Sequence, residues 1–449
     1  MTLLTTLLAF AVTLGILIVI HEYGHYWVAQ RCGVKVLRFS VGFGKPVLRW
    51  VRGPDRTEWT LSALPLGGYV RMLDERDPEC QPIAPADLAR AFNRQPVGKR
   101  MAIVLAGPLA NLLLAVGVYW FLNVIGVFEP AAQLGRPVAE SVAARAGVAP
   151  GEFAKAVDGE PVRSMNELRW RLIQRLGASD VVLELESPGG ASRETVIDLA
   201  GLNPDELEGD ILRKLGLVPY LSPPKVMKLV TGGAAEVAGL REGDVIVAAG
   251  GRPIDSAREL IEVVRAAPGR AVELGVERAG GVVRIAVVPH AVQSEDGQTF
   301  GRIGAELNDR APMEKVQYGP VEGLRLAVGR TVETVSFSLK MLGKMVVGEA
   351  SWKNLSGPVT IADYAGQSAR VGLASYLGFL ALVSISLGVL NLLPIPMLDG
   401  GHLLYYLIEV IKGSPPAEWV VEWGQRAGIA VLVGLTLLAL FNDIARLLT

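Results

Sequence analysis

The sequence predicts a multi-span α-helical membrane protein, with about four transmembrane helices, that carries two repeated α+β modules in its middle. Three observations lead there. Half of the 449 residues are hydrophobic and only 20% are charged. Four long runs contain no charged residue, and a 92-residue repeat (239 − 147) lies between the second and third of them. A chain of this length exceeds what one core usually serves, so several domains are expected. A formal net charge of −1 provides no basic surface for nucleic acid. Cys32 and Cys80 stand at no metal-like spacing and indicate no disulfide framework.

The first uncharged run, Met1–Ile20, leads straight into His-Glu-Tyr-Gly-His. A secretory signal peptide is the competing reading, but no basic region precedes the run and no small-residue cleavage site closes it. The runs Met101–Phe128 and Val371–Leu398 exceed the roughly 20 residues a bilayer core requires. Ala427–Asn442 is marginal at about 16, and would need local thinning or flanking aromatics such as Trp419 and Trp423. The expected spans are therefore 1–31, 98–128, 371–404 and 427–449. A loop is expected over 32–97 and another over 405–426. Between 311 and 370 a helical segment is expected at the membrane surface, because Gly319 to Gly348 places apolar residues and lysines at partly helical spacing. Between Arg31 and Arg100 there are 13 Lys or Arg against 7 Asp or Glu, which favours the cytoplasm for that loop. Both termini and the central region then face outward.

In the central region Gly147, Gly151, Gly159, Pro161 and Leu168 recur as Gly239, Gly243, Gly251, Pro253 and Leu260. In each copy a short helix leads to a turn, a strand, a Gly-Glu-Pro or Gly-Arg-Pro turn and a second helix. A period this long suits a duplicated domain better than a solenoid unit. The order resembles bacterial PDZ domains, giving expected modules at 129–220 and 221–310. The first copy departs from the pattern, with Glu152-Phe153-Ala154-Lys155 where Gly-Asp-x-Ile is usual. Two roles stay open: capture of peptide termini by strand addition, or a spacer that blocks access.

The chemistry concentrates on the first span. His21 and His25 are four residues apart, hence on one helix face and one turn apart, where two imidazoles can reach one metal. Glu22 stands beside them, able to take a proton from an attacking water. This H-E-x-x-H arrangement is that of zinc proteases, and inside an apolar run each polar group is costly to bury and needs a reason. A structural polar cluster is the bland alternative. His21 lies 18 residues after Leu3, about 27 Å along a helix, so the site falls near the far face of the membrane. A catalytic zinc site needs a third protein ligand. The third run ends Asn391-Leu-Leu-Pro394-Ile-Pro396-Met-Leu-Asp399-Gly400-Gly401-His402. The prolines break the helix at a depth where exposed backbone is tolerated only beside a cavity. Asp399 and His402 both remain open as that ligand.

Val36–Val51 and Trp59–Met72 read as strands and turns, with Gly42-Phe43-Gly44 and Gly67-Gly68 as turn or close-approach positions. Asn391 is a single amide in an apolar span, fit for holding helices together. Asn111, after Gly107-Pro108, reads as structural.

His-Glu-Tyr-Gly-His in a first span, paired with Asn-Leu-Leu-Pro-Ile-Pro-Met-Leu-Asp-Gly-Gly-His in a third, resembles the site-2 protease family of intramembrane zinc metalloproteases. With two PDZ-like copies between the motifs, the resemblance covers nearly the whole chain and points to bacterial inner-membrane members. It implies Zn2+ as cofactor, His21, His25 and Asp399 as its ligands, and Glu22 as catalytic base, leaving His402 without a ligand role. It also implies a re-entrant β element that pairs with substrate, here through Gly42, Phe43 and Gly44, and a substrate role for Asn391. Relatives can carry a second Asn where this chain has Ser386, so that second amide is replaced by a hydroxyl here. The implied substrates are single-span membrane proteins, among them a trimmed anti-sigma factor and remnant signal peptides, met within the lipid bilayer. The PDZ-like copies would face the periplasm, and the active site would lie near the cytoplasmic face. A membrane metal transporter or sensor using the same ligands is the alternative. It would leave Glu22 without a task.

Overall fold

The computed structural model describes residues 2–200, 211–293, 299–349, 352 and 357–448. Parts of the expected segments 129–220, 221–310 and 311–370 fall on 201–210, 294–298, 350–351 and 353–356, outside the described residues. The chain divides into two units, 1–127 with 317–449, and 128–316.

The first unit is helical. Four helices are long and apolar enough to cross a membrane: Leu3–Arg31, Val97–Ile125, Leu373–Leu392 and Glu418–Ala445. Helix α1 (Thr2–Arg31) packs against α2 (Val97–Ile125) so closely that a methyl group at Gly24 would lie 2.4 Å from the Ala106 carbonyl oxygen. Small residues permit such approach, which is how helices gain packing where lipid removes the hydrophobic drive. On its other face α2 joins the Pro320–Val347 and Leu373–Leu392 helices through Ala115, Tyr119, Ala327, Ala381 and Ile385. The helical segment expected at the membrane surface is thus two helices, Pro320–Val347 and Pro358–Val371, and the first buries Ala327 against α2. Two further expectations are corrected. The segment 405–426 is mostly helix rather than loop, being taken up by Asp399–Lys412 and the start of Glu418–Leu448. The last span is accordingly 28 residues, not 16. Glu418, Glu422 and Arg426 ended the uncharged run without ending the helix, because an acid suits the first turn and Glu422 stands four residues before Arg426.

One buried acid secures this helical frame. Asp443, in the last span, accepts hydrogen bonds from the backbone N–H groups of Gly357, Val359 and Thr360 at 2.9–3.1 Å. It thereby satisfies the open N-terminus of the Pro358–Val371 helix. That helix lies tight on α1, since a methyl group at Gly366 would meet Thr6 Oγ1 at 2.2 Å.

Between α1 and α2 stand two long strands, β1 (Val36–Arg52) and β2 (Thr57–Met72), paired antiparallel. The register runs from Arg52↔Thr57 at the tip to Val36↔Met72 at the base, and residues 38–41 are also matched with 58–61. Phe39 and Trp59 pack on Tyr26 of α1 with ring centroids 5.8 and 5.1 Å away, fixing the base of the hairpin to the first helix. Its far end exposes Val47, Leu48, Trp50 and Val51.

The second unit holds two α+β modules whose equivalences extend the repeat. Ser164 and Ser256 (256 − 164 = 92) cap their helices alike, each Oγ accepting from the N–H of Glu167 or Glu259 at 3.2 Å. Both glutamates reach back to the chain before the cap, to Arg163 N and Asp255 N. Each is a variant of the capping box, with the glutamate bonded one residue before the cap. Glu152 occupies the place of Asp244 (244 − 152 = 92), so the stretch that stands against Gly-Asp-x-Ile is Gly151-Glu152-Phe153-Ala154, one residue earlier than expected. Each acid is buried and paired with an arginine, Glu152 with Arg193 at 2.8 Å and Asp244 with Arg278 at 2.6 Å. The guanidinium in each case holds the carboxyl below its ordinary range. In the second module the sheet runs Gly281–Val287, Val272–Arg278, Val245–Ala249, Lys225–Leu229, Ala305–Asn308, and the Ala257–Arg265 helix buries Leu260 and Val264 on it. The first module has the order Glu160–Pro161, Phe153–Val157, Val181–Glu186, Ser192–Ile197. Arg136 and Asp255 join the modules at 2.8 Å.

Candidate metal centre

Three segments distant in sequence deliver the polar groups. Helix α1 carries His21 and His25 on one face, and their rings meet edge to face with centroids 4.9 Å apart. The Leu373–Leu392 helix stops where Pro394 and Pro396 remove backbone donors. The chain then turns through Met397, at φ +86°, and starts a new helix at Asp399. Gly400 and Gly401 make that turn possible, since methyl groups there would lie 2.2 Å from Leu393 O and 2.4 Å from Ile395 O. Asp399 is thereby set at the head of a helix whose far end is fixed by Glu409, bonded to Arg100 of α2 at 2.6 Å.

The result is a compact donor cluster. His21 Nε2 lies 3.2 Å and His25 Nε2 3.5 Å from Asp399 Oδ2, and the two Nε2 atoms are 3.3 Å apart. A tetrahedral zinc with bonds of about 2.0–2.1 Å would place its donors about 3.3 Å from one another. The cluster therefore has the spacing of three corners of such a tetrahedron. Among the described residues these three are the group able to hold a metal ion. The Nδ1 atom of His25 is 2.8 Å from the Ile103 carbonyl oxygen; a carbonyl only accepts, so Nδ1 carries the proton and Nε2 keeps its lone pair free. Glu22 is within electrostatic range of all three donors.

His402, the competitor of Asp399, is one turn further along the same helix and outside the cluster. Asn391 lies in the last turn of Leu373–Leu392, partly exposed. Gly42, Phe43 and Gly44 belong to the hairpin and not to the cluster; Phe43 is stacked on Tyr69 with centroids 6.2 Å apart.

Three residues that sequence reasoning did not attach to the site touch it. A methyl group at Gly107 would lie 2.2 Å from His25 Nε2, and one at Gly68 2.9 Å from Glu22 Cγ. Asn111, read as structural, is fully buried with its amide nitrogen 3.2 Å from His21 Nδ1. A lone amide within an apolar span was the available signal for Asn111, the same burial cost that singled out the histidines.

The model of Peptidase family M50 matches residues 9–435. A Ralstonia nicotianae protein named as a candidate zinc metalloprotease is 45% identical over 456 residues, covering 98% of both chains. The regulator of sigma-E protease RseP of Escherichia coli is 40% identical over 453 residues, again 98% of both. The solved PDZ domain of a Listeria monocytogenes SdrC-like protein aligns at 24% identity with 20% of this chain and 90% of its own, at a TM-score of 0.18. With a family match over most of its length and relatives of full coverage, the chain belongs to peptidase family M50, the site-2 proteases, and is a metalloprotease.

Proposed function

We propose that this metalloprotease cuts transmembrane segments of other proteins, with zinc held by His21, His25 and Asp399 and with Glu22 as catalytic base. One observation carries the reading: three donors at tetrahedral spacing among apolar helices, with a carboxylate alongside. When bound, zinc polarises the scissile carbonyl and acidifies water. Glu22 accepts the proton of the attacking water on its carboxylate and delivers it to the amide nitrogen as the peptide C–N bond breaks. Metal analysis of purified full-length variants tests the ligand set. Asp399→Ala is expected to lose zinc and cleavage together, while His402→Ala keeps most of its zinc. The reverse order would overturn the assignment.

A helical substrate hides its carbonyls and must unwind, and its freed backbone groups then need partners in lipid. The hairpin supplies them as a re-entrant element, a role supported by the contact of Gly68 with Glu22 and by its apolar far end. Gly42, Phe43, Gly44 and Asn391 take part in substrate handling. The second unit is a pair of tandem PDZ-like domains on the periplasmic side of the inner membrane. It controls admission, so that a membrane protein such as an anti-sigma factor is accepted once trimmed; the sigma-E regulators among the relatives support this substrate class. One substrate panel separates the two roles. Deleting Ala131 to Asp309 is expected to preserve cleavage of a trimmed substrate and newly permit an untrimmed one. Phe43→Pro removes a backbone donor and slows both. Continued rejection of the untrimmed form, or normal rates in a folded Phe43→Pro chain, refutes the corresponding role.

A further inference from the structure

Each histidine of the cluster has a second ring nitrogen, and that nitrogen's partner decides whether Nε2 can bind metal. A neutral imidazole that binds through Nε2 must carry its proton on Nδ1. For His25 the backbone settles the matter, through the Ile103 carbonyl. For His21 the Nε2 atom also faces the cluster, but the group at Nδ1 is the side-chain amide of Asn111. An amide NH2 opposite Nδ1 would force the wrong tautomer, with the proton on Nε2.

A second feature of the same residue resolves this. Among the described residues, Asn111 Oδ1 is buried without a hydrogen-bond partner, a condition that buried acceptors ordinarily avoid. Amide oxygen and nitrogen exchange places by a half-turn about the Cβ–Cγ bond. With Oδ1 toward the imidazole, the acceptor receives the Nδ1 proton and His21 Nε2 is left with its lone pair, while the amide NH2 takes the position Oδ1 had. Asn111 is itself anchored from the opposite side, where Ser384 Oγ donates to its backbone oxygen at 2.7 Å. It therefore links the first, second and third spans at the depth of the donors.

We propose that Asn111 is a positioning residue that fixes His21 in the Nδ1–H tautomer and so directs Nε2 to the zinc. The inference rests on the ligand set proposed above. Outer partners of metal-bound histidines change metal affinity by about 10–100-fold when removed.

The test measures zinc affinity by chelator competition on the full chain in lipid, together with the visible spectrum of the cobalt-substituted protein. Asn111→Leu keeps the volume and removes the acceptor. It is expected to weaken zinc binding about 10–100-fold and to alter the cobalt spectrum. Asn111→Asp restores an acceptor and is expected to bind within a few-fold of the unaltered chain. Thermal unfolding of the metal-free forms, alike for Asn111→Leu and the unaltered chain, separates lost positioning from lost folding. Equal zinc affinity in Asn111→Leu overturns the proposal, as does an equal loss in Asn111→Asp. Asp399→Ala is the control for the underlying reading. If it binds zinc normally the ligand set is wrong, whereas zinc loss there with none in Asn111→Leu refutes Asn111 alone.

Discussion

Glu22→Gln is expected to leave zinc bound while cleavage falls by about 10²–10⁴-fold, the usual contribution of a general base. The substitution keeps His21, His25 and Asp399, and it keeps the side-chain volume. Volume matters here because Gly68 stands close enough that an added methyl would meet Glu22 Cγ at 2.9 Å. A shorter residue would open a gap and a bulkier one would press on the hairpin, so either would confuse lost basicity with lost geometry. The amide retains an oxygen to orient water but cannot take its proton. Purified protein is assayed for zinc per chain and for cleavage of a transmembrane reporter. Turnover within a few-fold of the unaltered chain would remove Glu22 from the chemistry; zinc loss would show that it holds the metal instead.

Gly107→Ala is the second large effect, and it comes from the opposite helix. The new methyl would lie 2.2 Å from His25 Nε2 and 2.6 Å from Cε1, distances that force the imidazole aside. A ring bonded to a backbone carbonyl through Nδ1 has little freedom to yield. Zinc content and cleavage are both expected to fall at least tenfold, in line with what disturbed ligand geometry costs. Helix propensity works the other way, since Ala favours a helix interior by about 1 kcal/mol over Gly, so α2 itself is not weakened. Gly117 in the same helix is the control. A methyl there would meet nothing within 4 Å, so Gly117→Ala should keep its zinc. A fully metallated, active Gly107→Ala enzyme would show that the two helices separate more readily than their packing implies.

The legible part of this molecule was the part encoded at short range. His21 and His25 share a helix face because of their spacing, the prolines before Asp399 mark a break, and the 92-residue offset carries through to capping serines and buried acids. The strands of the hairpin were readable from Val36 and Trp59 onward. The contact of Asn111 with His21 spans 90 residues, and those of Gly107 with His25 and Gly68 with Glu22 also join separate elements. No local period records which faces of two apolar helices meet. Helix ends misled for a related reason. Glu418, Glu422 and Arg426 interrupted a hydropathy pattern without interrupting the backbone, so the last helix begins before its uncharged run.

The placement of Asp399 would make a bound metal a clasp as well as a chemical tool. With His25 and Asp399 on one ion, as proposed, zinc would close a chain loop of 374 residues (399 − 25). An ion that binds the folded chain and not the unfolded one would stabilise that closed arrangement by mass action. The ion would also hold one end of the short Asp399–Lys412 helix, whose other end the Arg100–Glu409 pair already holds. By linkage, whatever free energy zinc gains from finding Asp399 in place is the free energy by which it keeps that helix docked. On the proposed ligand set, loss of zinc would free the link between the first span and the segment after the third.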